Sequence, residues 1–125
     1  MKLREVRLYG TTDTSGDLTV TGDAVFGKVY AVAWIDGTLD DNNTAVLSTI
    51  NHDAASTILT LEAGEGDDDA IFYPRAIVHD AGAESLTGTA GGDRAEPLAA
   101  GNLQLVIAAG GALKSGGCIV FIEEC

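Results

Sequence analysis

The stretch Asp17-Leu18-Thr19-Val20-Thr21, followed beyond Gly22-Asp23 by Gly27-Lys28-Val29-Tyr30-Ala31-Val32-Ala33-Trp34-Ile35-Asp36-Gly37, decides the fold class. Residues 17–21 alternate: Leu18 and Val20 would face a core while Thr19 and Thr21 face water, the two-residue period of a half-buried strand. Gly22-Asp23 reads as a turn. Residues 27–37 are apolar at both parities, with Val29, Ala31, Ala33 and Ile35 on one face and Tyr30, Val32 and Trp34 on the other. Such a strand is either central in a layered fold or covered by a neighbouring subunit.

Working outward, the same period recurs in residues 3–9, 44–49, 57–62, 70–80, 102–108 and 117–124, and a sustained helical period is missing. Asp40-Asp41-Asn42-Asn43 is a turn signal, because Asx side chains bond their own backbone and tolerate left-handed conformations. Pro74 lacks a donor and marks an edge, a bulge or a strand boundary. Residues 64–69 are a loop on composition, and residues 82–96 form a long, small-residue loop suited to function or to a partner surface. Gly110-Gly111-Ala112-Leu113-Lys114-Ser115-Gly116 suggests a hairpin between the last two strands. The reading is an all-β, about eight-stranded antiparallel β-sandwich, with a jelly roll preferred over an up-and-down barrel. The 125 residues suffice for one core. Residues 1–10 form an N-terminal strand or arm, and residues 11–125 a single β-sandwich domain.

Charge narrows the function. Seven Lys and Arg stand against nineteen Asp and Glu, a net charge of -12. Neutralising phosphates needs clustered cations, so nucleic acid and anionic membrane surfaces are excluded as expected partners. The imbalance is uneven: residues 1–7 carry Lys2, Arg4 and Arg7 against Glu5, a balance of +2, and the rest of the chain a balance of -14. A basic N-terminal segment on an acidic body can dock against an acidic neighbour, a second copy or another protein; it equally suits an edge strand guarded by charge. No apolar signal region follows the basic residues, and no apolar run approaches the ~20 residues of a membrane helix, so synthesis in the cytoplasm is expected.

Chemistry is sparse. His52 and His79 are the only histidines, neither stands with a serine in a nucleophile motif, and both read as surface or edge residues. Cys118 lies in an apolar strand and reads as an inert buried thiol. A strand from Cys118 to Cys125 would separate them by roughly 23 Å, too far for a disulfide. Asp40-Asp41-Asn42 and Asp67-Asp68-Asp69 supply oxygens for calcium but lack the loop pattern that holds it, so they read as solvated turns. No catalytic, metal or cofactor site is assigned, and an enzyme is not expected. Partner-binding residues are assigned to Lys2, Arg4 and Arg7 in the basic segment and to Tyr30, Val32 and Trp34 on the apolar strand face. Trp34, Tyr30 and Tyr73 are also the available sugar platforms.

The run Thr11-Thr12-Asp13-Thr14-Ser15-Gly16-Asp17-Leu18-Thr19-Val20-Thr21, residues 27–37, Tyr73-Pro74-Arg75, His79-Asp80, Glu96-Pro97 and Gly116-Gly117-Cys118-Ile119-Val120-Phe121-Ile122-Glu123 together resemble small virion structural proteins of tailed bacteriophages. The similarity covers residues 3–124 and departs at Ile71-Phe72-Tyr73. It implies a capsid decoration, or cement, protein on the exterior of the capsid, made in the host cytoplasm. The implied partners are the major capsid protein or other virion proteins, with a homo-oligomer, trimer or dimer, on a local symmetry axis. The alternatives are a neck, tail or head-fibre adaptor of the virion and a carbohydrate-binding β-sandwich module.

Overall fold

Apolar alternation becomes strand throughout residues 2–51, 57–77 and 94–124, the residues that the computed structural model describes. The strands are β1 (Lys2–Thr11), β2 (Leu18–Ile35), β3 (Thr44–Ile50), β4 (Thr57–Leu61), β5 (Ala70–Phe72), β6 (Ala76–Ile77), β7 (Arg94–Ala95), β8 (Leu98–Ala108) and β9 (Ser115–Glu124). No helix occurs among the described residues. The molecule is all-β and antiparallel. Seven strands form one open sheet in the order β1-β9-β2-β8-β3-β4, with β5 also on β2, and β6 and β7 make a separate ribbon. Residues 1–10 are not a detached arm, since β1 pairs with β9 from Lys2↔Glu124 to Thr11↔Ser115.

β2 organises the sheet. Its first half pairs with β8, from Leu18↔Ile107 to Lys28↔Leu98. Its second half pairs with β9, from Gly27↔Glu124 to Ile35↔Gly117, and with β5 from Val32 to Trp34. β2 therefore belongs to two arms of the sheet. Val32, Trp34 and Cys118 from one arm and Ala45, Leu47 and Leu105 from the other line one small apolar gap. The arms change over at Gly27, which is paired to Ala99 and to Glu124 at once. A Cβ at Gly27 would collide with the Glu123 carbonyl oxygen, so the crossing demands glycine.

Three readings of the sequence are corrected. Gly22-Asp23 is not a turn: β2 runs through it, and the register with β8 shifts between Thr21 and Ala24. One extra residue is absorbed as a bulge there, and Gly22 lets Leu8 of β1 come close, since a Cβ at Gly22 would lie 2.6 Å from Leu8 Cδ2. Residues 110–116 are not a hairpin, because β2 stands between β8 and β9. The segment instead bridges the arms, with Gly110 N–H donating to Gly16 O and Thr12 N–H to Lys114 O. Finally, Tyr30 does not share a face with Val32 and Trp34. The register with β9 skips a residue between Val29 and Ala31, so Tyr30 is the bulged residue. Val29, Val32 and Trp34 turn inward, at 0%, 1% and 2% exposure, while Tyr30 is 44% exposed.

Other details follow the sequence. Pro74 separates β5 from β6, and Asn42 adopts a left-handed φ of 64° in the expected turn. Residues 82–93 of the long loop lie outside the described residues, as do His52, His79 and Cys125.

Candidate interaction surfaces

The turns after β1, β2, β4 and β8 gather at one end of the sheet and are tied together by hydrogen bonds. Asp36 N–H donates to Asp69 Oδ1 at 2.8 Å, Asn42 N–H to Asp67 Oδ1 at 2.7 Å, and Asp40 N–H to Gly110 O at 2.9 Å. Asp13, Asp17, Asp36, Asp40, Asp41, Glu62, Glu65, Asp67, Asp68 and Asp69 are placed by these turns, with Lys114 as their cation. Crowding has a measurable consequence at Asp36. Burial, then the repulsion of Asp41, Asp69, Asp68 and Asp67, raises its carboxyl above the ordinary value of 3.8. Asp13 moves the other way: its Oδ1 accepts from the N–H groups of Asp17 and Ser15, which favours the carboxylate and lowers its pKa. Among the described residues, no group of three His, Cys, Asp or Glu side chains is arranged to hold a metal ion.

The middle of β2 differs. Phe26 and Leu98 are 58% and 53% exposed, and Leu98 is opposite Lys28 in the β2–β8 ladder. Phe26, Lys28 and Tyr30 follow at two-residue intervals up to the bulge, so they share one side of the strand. Tyr73, 55% exposed, meets the Tyr30 ring edge-to-face with centroids 6.1 Å apart. Arg75 closes this corner, its guanidinium 5.9 Å from the Tyr73 centroid and its Nη1 donating to Tyr30 O at 3.3 Å. The result is an exposed aromatic and aliphatic patch with Lys28 and Arg75, and with Glu123 of β9 directly opposite Lys28.

Of the six residues assigned to partner contact, three lie on β1. Lys2 and Arg7 are exposed, and the Arg7 guanidinium rests 4.8 Å from the Tyr9 ring centroid. Arg4 is spent within the chain, 2.9 Å from Asp23 and 3.9 Å from Glu124. Tyr30 is at the surface as assigned. Val32 and Trp34 are core residues, and Trp34 donates its indole N–H to Gly66 O at 2.9 Å. A bulge removes them from the face they were assigned to. The sequence groups Tyr73 with Tyr30 as sugar platforms but does not place Phe26, Arg75 or Leu98 beside them. The available signal was Phe26 and Tyr30 flanking Lys28; their proximity to Leu98 and Tyr73 depends on pairing that one sequence does not specify. Cys118 is buried, and burial pushes its thiol up to about 12. No described helix is long and apolar enough to cross a membrane.

Comparison with protein-family models, with curated proteins and with solved structures finds no match to this chain.

Proposed function

We propose that this chain is a structural protein of a tailed-phage virion, a decoration or cement protein bound to the outer face of the major capsid shell. The observation that carries the reading is the corner formed by Phe26, Tyr30, Tyr73 and Leu98 with Lys28 and Arg75 at its rim. Exposed aromatics beside arginine are the composition of protein–protein contacts. The acidic turns lie at the two ends of β2, away from the corner at its middle, where Lys28 and Arg75 can meet an acidic neighbour beside Glu123, which stands opposite Lys28 on β9. The resemblance of residues 3–124 to virion structural proteins supplies the setting. The two arms, β1-β9-β2-β5 and β2-β8-β3-β4, which share one apolar core, support a β-sandwich as the finer description of the fold, and a jelly roll is the connectivity proposed for it.

Binding of the purified chain to isolated capsid shells tests the proposal. Tyr30→Ala combined with Tyr73→Ala is expected to weaken shell binding by roughly tenfold or more while the chain stays folded. Unchanged binding would overturn the role of the corner. Shell-free association with neck or tail assemblies, at the copy number of a single ring, would support the adaptor alternative. The carbohydrate-binding alternative has less support: Trp34 is buried, and one side of the Tyr73 ring is taken by Arg75.

A further inference from the structure

β1 is the outermost strand of its arm, and among the described residues nothing pairs with its second edge. The phase of that edge is fixed by two hydrogen bonds. Thr12 N–H donates to Lys114 O at 2.7 Å, in step with the β1–β9 register, so the even-numbered residues of β1 exchange bonds with β9. Thr38 N–H donates to Ser115 O at 2.8 Å, which places odd-numbered β9 carbonyls on the other side, as the same phase requires. The N–H and C=O groups of Leu3, Glu5, Arg7 and Tyr9 therefore point outward from the edge. Their side chains are also all exposed, on one face of the strand.

We propose that this edge pairs antiparallel with β1 of a second copy of the chain, in the register that sets Glu5 opposite Arg7 and Leu3 opposite Tyr9. An antiparallel partner must meet outward groups with outward groups, so odd residues must pair with odd residues. Three registers centre the strand on itself. One sets Glu5 against Glu5 of the second copy, and another sets Arg7 against Arg7; both place like charges directly opposite. The intermediate register gives two Glu5–Arg7 pairs and two Leu3–Tyr9 pairs, related by a twofold axis at Val6. It is the self-complementary choice. Arg7 is already held in place over Tyr9. Arg4 takes no part in selecting the register, because it is bound to Asp23 and Glu124. Charge on this edge thus has two effects: it opposes most strand partners and admits one.

Sedimentation equilibrium on the full chain tests the pairing by charge exchange. Wild type is expected to dimerise. Glu5→Arg alone and Arg7→Glu alone each place like charges opposite one another twice, and each is expected to weaken dimerisation by roughly tenfold or more. The double variant Glu5→Arg/Arg7→Glu re-creates both opposite-charge pairs and is expected to restore dimerisation. Glu5→Gln, which keeps the bulk of the side chain, gives a smaller weakening and serves as the milder probe. A wild-type monomer at millimolar concentration, a trimer, dimerisation indifferent to the single variants, or a double variant that fails to recover would each overturn the proposal.

Discussion

Tyr30 and Trp34 lie four residues apart in one strand, yet one meets Tyr73 edge-to-face at the surface and the other is 2% exposed. Strict alternation puts them on the same face, and a single bulged residue separates them. Alternation could identify both as strand residues but could not locate the bulge, which is set by how β9 crosses β2 rather than by local propensity. Cys118 was simpler, because an apolar strand flanked by glycines leaves a thiol nowhere to go but inward. Its pKa of about 12 leaves almost no thiolate at moderately alkaline pH. In a Cys125→Ser variant, folded protein is expected to resist iodoacetamide, with labelling appearing only on addition of denaturant. Rapid labelling of the folded variant would show that the core around Trp34 and Val32 opens readily.

At the scale of elements, the strands and most of their limits were legible, since β1, β3, β4 and β9 each begin and end within two residues of the apolar pattern. Their partners were not. Gly22-Asp23 carries a turn signature, but β8 pairs with β2 on both sides of it and Leu8 and Val6 pack close to Gly22, so the chain stays in strand. Likewise, the glycine-rich segment between β8 and β9 has hairpin chemistry, yet its hydrogen bonds go to Gly16, Asp13 and Thr12 of another turn. Long-range packing overrides local turn preference in both places. The same packing makes Gly27 the weak point of β2, because its neighbours there are the backbones of β8 and β9 rather than yielding side chains. Gly27→Val is expected to cost about 1–3 kcal/mol, as overpacking does, measured as a lower urea midpoint. A full-stability variant would mean that β9 can move aside and that the crossing is less constrained than its geometry indicates.

Across the whole molecule, ten of the nineteen acidic residues gather in the turns at one end of the sheet, while Lys28 and Arg75 lie at the corner around Tyr30. The total was legible in the sequence; the gathering was not, because it arises from which turns the topology brings together. That gathering stores repulsion at Asp36. A carboxyl whose folded pKa is raised binds its proton more tightly in the folded state than in the unfolded one. Its contribution to stability is therefore fully present below the unfolded value of 3.8 and is lost as pH rises through the higher folded value. Asp13 has the opposite sign: its contribution is present above 3.8 and is lost as pH falls through its lowered folded value. Asp36→Asn removes the charge that Asp41, Asp67, Asp68 and Asp69 oppose. It is expected to raise the urea midpoint at neutral pH, and the advantage should shrink as pH falls through the raised folded pKa of Asp36, where the wild-type carboxyl takes up its own proton. Added salt should narrow the neutral-pH difference as well, because it screens the same repulsion. A variant less stable than wild type at neutral pH would show instead that the ionised Asp36 holds the two acidic turns together, and that their crowding stabilises this end of the sheet.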